Sequence, residues 1–152
     1  MRALLVILGF LLLSPVVAGA APHRLPVEKI VIETQHGARA FTLEIAADDA
    51  SRETGLMHRT KLAPDAGMLF DFGKPVMTAF WMKDTPLPLD MLFVRADGTI
   101  STVAARAVPL STAEIVSAEP IRAVIEIGGG QARAQGIAPG DRVRAPQFGS
   151  SR

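Results

Sequence analysis

Residues 27–46 read VEKIVIETQHGARAFTLEIA, and this stretch decides the class of fold. Two segments in it, 27–33 and 39–46, alternate apolar with polar residues, which is the pattern of a strand with one buried face. In the second segment Phe41, Leu43 and Ile45 point to one side, and the residues between them point to the other. A short polar segment, TQHG, separates the two, so the stretch predicts an antiparallel hairpin.

Further short apolar segments follow along the chain. A helix is predicted over about 50–55, after two aspartates suited to its N-cap, and a second over 131–135 with a glycine past its end. Residues 109–120 stay unassigned, and there is no repeated strand–helix–strand rhythm. The prediction is therefore a mainly β, single-domain, barrel-like antiparallel fold with one or two short helices. Its remaining strands are predicted over 68–72, 77–82, 89–94, 99–106, 122–127 and 142–144.

The first twenty residues have the layout of a secretory signal peptide. Arg2 supplies a positive charge, residues 3–13 form an unbroken apolar run, and Ala18-Gly19-Ala20 offers small residues for cleavage. The run is shorter than the roughly 20 apolar residues that span a bilayer, which favours cleavage over anchoring and a mature protein without a membrane span. We expect an exported protein, periplasmic or secreted. The predicted organisation is a signal peptide at 1–20, a lead segment at 21–26, one β-barrel-like domain at 27–144 and a flexible tail at 145–152.

Charge and cysteine content exclude several classes of function. Removing Arg2 with the leader leaves equal numbers of basic and acidic residues, so there is no electrostatic reason to bind nucleic acid. The chain has no Cys, which rules out disulfides, thiol catalysis and thiolate metal sites. His23, His36 and His58 show no ligand spacing, so neither a zinc site nor a cofactor is predicted.

Several separated fragments resemble a known family in their order. They are GLMHR (55–59), GMLFDF (67–72), FWMKDTPLPLDMLFV (80–94), DGTI (97–100), AVIEIGGG (123–130) and GIAPGDRV (136–143). Together they resemble the bacterial and archaeal Domain of Unknown Function 192 family over about residues 27–144. The resemblance implies a small β-barrel with a short helix, in proteins that are often exported, and it brings no assigned reaction. Arg59 matches the Arg of the family's GLM-x-R pattern.

The segment FWMKDTPLPLD at 80–90 places charged residues in the most apolar part of the chain. If Phe80 and Met82 face the core, Trp81 and Lys83 face solvent or a cleft. Beyond the two prolines, Asp90 is the lone charge on an apolar stripe. An unpaired buried carboxylate is costly, so Asp90 must reach solvent, accept hydrogen bonds from backbone N–H groups or meet a cation.

Glu126, between two isoleucines, raises the same question. In a structural interpretation, Asp84 and Asp90 organise a Pro-rich turn, and Arg59 pairs a carboxylate that holds the helix on the barrel. In a functional one, these residues line a pocket for a small polar ligand such as a sugar, a peptide or a zwitterion. The candidate ligand-binding residues are Trp81, Lys83, Asp84, Asp90, Arg59 and Glu126.

The leading expectation is a non-enzymatic exported protein that binds a small polar ligand or a component of the cell envelope. Two alternatives stay open, and with them whether the protein is an enzyme. Asp90 and Glu126 could divide the acid and base roles in a hydrolase or lyase acting on envelope polymers. Thioethers suit Cu(I), although Met also fills irregular cores, so periplasmic copper binding through Met and Trp is the other alternative. The methionines concerned are Met57, Met68, Met77, Met82 and Met91.

Overall fold

The computed structural model describes residues 24–149. The predicted signal peptide and the outer ends of the lead segment and tail lie outside these residues. In this part of the chain no helix is long and apolar enough to cross a membrane. The elements are β1 (Val27–Thr34), β2 (Gly37–Ala46), α1 (Asp49–Thr54), β3 (Ala66–Val76), β4 (Ala79–Phe80), β5 (Leu89–Val94), β6 (Ile100–Ala107), β7 (Ile115–Val116), β8 (Ile121–Gly128), α2 (Gln131–Gln135) and β9 (Arg142–Arg144), followed by one 3-10 turn (Pro146–Phe148).

Seven strands form one curled sheet in the order β6-β5-β8-β3-β2-β1-β9, while β4 and β7 form a separate two-stranded sheet. All pairs are antiparallel except β2 with β3, which run parallel with α1 in the connection between them. The two edge strands meet at one end, where Thr99 bridges Arg142 and the N–H of Ile100 donates to the carbonyl of Asp141 at 2.8 Å. The predicted mainly β, barrel-like fold with two short helices is confirmed.

The opening hairpin forms as its alternation predicts. Ile30 on β1 lies opposite Phe41 on β2, and both side chains are buried inside the curl of the sheet. The turn closes at Gly37, whose φ of 102° is the left-handed conformation that glycine adopts without strain.

The central strands β3, β5 and β8 are buried on both faces. Leu69, Leu92 and Ile125 pack inside the curl with the side chains of β1 and β2. Met68 and Met91 pack in a second cluster on the outer face, beneath the residues after α1 and the segment around β4 and β7. Because of this second layer, the outer face of the sheet has buried positions as well as exposed ones.

Two segments differ from the sequence expectation. The strand predicted over 77–82 exists only at Ala79–Phe80, because the chain turns at Thr85, whose N–H donates to the carbonyl of Met82 at 3.1 Å. The tail predicted to be flexible from 145 is folded in its first residues. Ala145 is buried, and Phe148 packs against the inner cluster. The folded domain therefore continues past the predicted boundary at 144.

Candidate functional site

Asp90 is fully buried on β5 and is saturated with backbone donors. Its carboxylate accepts the N–H of Gly130 at 2.9 Å to each oxygen, and the N–H groups of Ala132 and Arg106 at 2.8 Å. Gly130 and Arg106 both have positive φ, so the carboxylate is bound where the chain turns irregularly. The sequence allows three environments for Asp90: solvent, backbone N–H groups or a cation. The structure shows the second of these. The carboxylate joins the irregular end of β6 to the start of α2.

Glu126 lies on the other face of the same sheet. In the pairing of β5 with β8, Asp90 is opposite Ile127 and Glu126 is opposite Met91. Because successive side chains of a strand alternate between faces, the two carboxylates point to opposite sides of the sheet. The structure therefore does not bring Asp90 and Glu126 together, and the acid/base pair considered from the sequence is not formed.

The side chain of Glu126 is buried without a protein partner. The residue is 4% exposed, and within residues 24–149 its carboxyl group makes no hydrogen bond or ion pair. Loss of solvation raises the pKa of Glu126 to about 8, from an ordinary value of 4.5. At neutral pH the group is consequently a protonated carboxylic acid, able to donate one hydrogen bond and to accept others.

Glu126 forms part of the wall of a cavity of about 360 Å³. Four aromatic residues share this wall: Phe70, Phe72, Phe80 and Trp81. The ring of Phe80 stands edge-on to that of Phe70 with centroids 5.0 Å apart, and to that of Phe72 at 6.4 Å. Trp81 is 47% exposed and Glu126 is nearly inaccessible, so the cavity runs from an open aromatic rim to a buried carboxyl group.

Helix α1 contributes charged side chains to the wall of this cavity. Arg52 lies in the wall and is held by three contacts: it pairs with Asp49 at 2.5 Å and donates to the carbonyls of Ala47 and Asp71 at 2.6 and 2.7 Å. The helix ends at Gly55, where a β-carbon would lie 3.1 Å from the ring of Phe70. Because Gly55 has no side chain, the end of α1 can lie close to the ring of Phe70 and so border the cavity.

The other candidate residues lie outside this wall. The ammonium group of Lys83 lies 5.4 Å from the centroid of the Trp81 ring, at the rim of the cavity. Asp84 is exposed in a turn, where its carbonyl accepts the N–H of His58 at 2.7 Å. Arg59 makes a two-bond ion pair with Glu44 at 2.5 and 2.7 Å. The structure thus brings Trp81 and Glu126 together, with Lys83 beside them, and separates Asp84, Asp90 and Arg59 from them.

Arg59 and Glu44 line a second cavity, of about 870 Å³, which adjoins the opposite side of α1. Arg24 and Leu25 border it, next to the part of the chain that the structure does not describe. The pair ties the segment after α1 to strand β2, as the structural interpretation of Arg59 expects.

We expect a double-mutant cycle on Arg59→Ala and Glu44→Gln to give a coupling energy of about 0.5–1 kcal/mol, because both side chains are about a third exposed to solvent. Urea unfolding of the four proteins measures it. The pair Arg95–Glu119, which is more exposed, serves as the control and should couple less. A coupling energy of zero would show that the ion pair between Arg59 and Glu44 does not hold the segment after α1 against β2.

The methionines are dispersed. Met68, Met82 and Met91 are buried in the outer core cluster, while Met77 is 58% exposed and only Met57 lines the aromatic cavity. Residues 24–149 also contain no group of three or more His, Asp or Glu side chains that could hold a metal ion. The structure therefore does not gather the thioethers that the copper alternative requires.

The sequence profile of the family DUF192, described as "Uncharacterized ACR", matches residues 31–145. The chain belongs to the DUF192 family. The crystal structure of a Sinorhizobium meliloti 1021 protein, provisionally described as a transcription regulator, matches with a TM-score of 0.81 and 44% identity, over 84% of this chain and 99% of that one. A protein of unknown function from Novosphingobium aromaticivorans DSM 12444 matches with a TM-score of 0.78 and 37% identity, over 86% and 90%. No protein with a curated description matches the chain.

The cavity wall includes three residues that were not predicted as site residues from the sequence: Phe70, Phe72 and Arg52. Phe70 and Phe72 belong to GMLFDF, and alternation on β3 puts them on the same face as Met68. That period-2 pattern was a signal for an aromatic wall. Arg52 belongs to none of the fragments, and only the packing of α1 against β3 reveals its place. The family match thus establishes the fold and leaves the reaction or ligand unassigned.

Proposed function

We propose that this protein is a non-enzymatic binding protein that holds a small polar ligand in the cavity above Glu126. The observation that carries the proposal is the buried carboxyl group of Glu126, which faces an aromatic-walled cavity and has no partner among the described residues. Burying an unpaired polar group costs about 1–3 kcal/mol. A ligand that supplies the missing hydrogen-bond or charge partner recovers that cost on binding.

The shape and wall of the cavity support ligand binding. Its volume of about 360 Å³ lies at the lower end of the range for small-molecule sites. Ligand sites are mostly apolar with a few placed polar groups, and here four aromatic rings share the wall with one buried carboxyl group. Trp81, half-exposed at the rim, offers a flat face to a ligand entering from solvent.

Binding is favoured over catalysis because the cavity holds a single buried titratable group. Of the other acids in its wall, Asp49 and Glu53 lie on the exposed side of α1. Asp90, the second carboxylate that acid/base chemistry would use, is committed to backbone N–H groups on the far face of the sheet. Among residues 24–149, Glu126 therefore has no buried partner with which to divide the roles of acid and base.

The proposed place of action is outside the cytoplasm, in the periplasm or the medium, and the ligand is a small polar molecule or a component of the cell envelope. The signal-peptide layout of residues 1–20 supports export. We do not extend the provisional regulator description of the Sinorhizobium relative to this chain. In the present chain sixteen basic residues nearly balance fifteen acidic ones, so a net charge of +1 gives no electrostatic reason to bind nucleic acid.

A thermal-shift screen against sugars, peptidoglycan fragments and amino acids tests this function. We expect at least one class to raise the midpoint of unfolding, and Trp81→Ala to abolish that rise. The substitution should itself cost less than about 1 kcal/mol, because Trp81 is 47% exposed.

Val108→Ala is the matched control, because Val108 is 68% exposed and lies outside the cavity wall. It should leave the ligand-dependent rise unchanged. A rise that persists in both Trp81→Ala and Glu126→Gln would place the ligand elsewhere on the protein.

A further inference from the structure

We infer that the ligand of this cavity is an organic cation, an amine or a quaternary ammonium ion, held among the aromatic rings with Glu126 as its counter-ion. This inference rests on the proposed function and names the class of ligand. It follows from the rings, from the balance of charge around the cavity and from the absence of any partner for Glu126 within residues 24–149.

The aromatic rings of the wall already attract the cations of the protein itself. The guanidinium carbon of Arg52 lies 5.8 Å from the centroid of the Phe72 ring, and the ammonium nitrogen of Lys83 lies 5.4 Å from that of Trp81. Both distances are within the about 6 Å at which a cation is attracted to the face of an aromatic ring. With the rings of Phe70 and Phe80 added, the cavity has the composition of an aromatic cage for ammonium groups.

The charges facing the cavity also favour a cation. Within the described residues 24–149 they come from two elements: Asp49, Arg52 and Glu53 on α1, and Glu126 on β8. The positive charge of Arg52 is already paired with Asp49 at 2.5 Å. Strands β3 and β4 contribute aromatic and small side chains to the wall, and Lys83 lies beyond Trp81. Once Glu126 ionises the wall is net negative, so it repels an anion and complements a cation.

A metal ion is a poorer match than an organic cation. Hard ions such as Ca²⁺ take six or more oxygen ligands, and the buried end of the cavity offers one carboxyl group. Soft ions take several thioethers, but the wall offers only that of Met57 among residues 24–149, since Met68 and Met91 beside Glu126 are absent from it. A ligand with one diffuse positive charge needs only a single counter-ion and the faces of aromatic rings.

Binding of such a ligand is coupled to a proton. Burial raises the pKa of Glu126 to about 8, so below that pH the free cavity holds a neutral carboxylic acid. A cation binds the ionised form and therefore displaces the proton. The apparent affinity should rise about tenfold for each pH unit up to about 8 and level off above it, since each pH unit changes the ionised fraction about tenfold.

Trp81 is the only tryptophan in the chain, so its fluorescence reports on the cavity directly. We would titrate the purified protein at constant ionic strength with choline and with 3,3-dimethylbutan-1-ol, which has the same shape without the charge. Methylammonium and guanidinium complete the set. The expected result is a saturable change with a cation, none with the alcohol, and about tenfold tighter binding at pH 7 than at pH 6.

Glu126→Gln should remove the pH dependence and weaken cation binding at pH 9 at least tenfold. Glu114→Gln, an exposed carboxylate outside the cavity wall, should change neither. Equal binding of the alcohol and choline, or no binding of any cation in the set, overturns the inference. If a neutral ligand from the thermal-shift screen still binds and depends on Trp81, the proposed function stands without it. If no ligand of either kind binds, both fail.

Discussion

Asp90→Asn is expected to lower the free energy of unfolding by about 3 kcal/mol, because a buried acceptor group with several charge-assisted hydrogen bonds loses half of its accepting capacity. Three backbone N–H groups, those of Arg106, Gly130 and Ala132, now donate to the carboxylate. The amide of Asn would direct its own NH₂ donors at one or more of them. Urea unfolding monitored by circular dichroism measures the change.

Asp84→Asn is the matched control from the same segment. Asp84 is exposed and has a φ of 53°, a conformation that Asn tolerates well, so its replacement should change the stability by less than about 0.5 kcal/mol. If the two substitutions had equal small effects, the hydrogen bonds to Asp90 would contribute little to the fold.

The second large effect is a fall in stability as the pH rises, caused by Glu126. In the unfolded chain this carboxyl group ionises near its ordinary value of 4.5, whereas in the folded protein its pKa is about 8. Between these values the folded state binds one proton more than the unfolded state, so stability decreases with rising pH. The contribution is complete below pH 4.5, decreases across the window and is flat above about pH 8. Its total is roughly 5 kcal/mol, from 1.36 kcal/mol for each unit of pKa shift.

Glu126→Gln removes this loss, because the amide is isosteric with the protonated acid and does not ionise. Unfolding free energies measured at each pH unit from 5 to 9 should therefore diverge, with the variant the more stable at high pH and near equality at pH 5. Glu114→Gln should follow the wild-type curve throughout. Parallel curves for wild type and Glu126→Gln would mean that Glu126 is solvated in the folded protein.

The local parts of the structure could be predicted from the sequence because they depend on periods of two residues and on turn chemistry. The β1–β2 hairpin forms in the expected place, and Trp81 faces outward while Met82 faces the core. The apolar stripe around Asp90 also restricts this carboxylate to three kinds of environment: solvent, backbone N–H groups or a cation.

The relation between Asp90 and Glu126 could not be predicted, because it depends on strand order and register. Each residue is a lone acid among apolar neighbours, so their sequence surroundings do not distinguish one from the other. A shift of one residue in the pairing of β5 with β8 would put both side chains on the same face. Only the observed register, with Asp90 opposite Ile127, separates a structural carboxylate from one that faces a cavity.

The pairing of β9 with β1 has a consequence for the order in which the protein folds. Val143, almost at the end of the domain, lies opposite Ile32 in its first strand. During synthesis, β1 can pair with β2 early, but its second edge has no neighbour until β9 has been made. Long-range strand pairing is slow, and an open edge invites pairing with other chains. Strand β9 therefore covers the open edge of β1 late in folding. Nascent chains, and chains truncated before β9, should be the aggregation-prone forms of this protein.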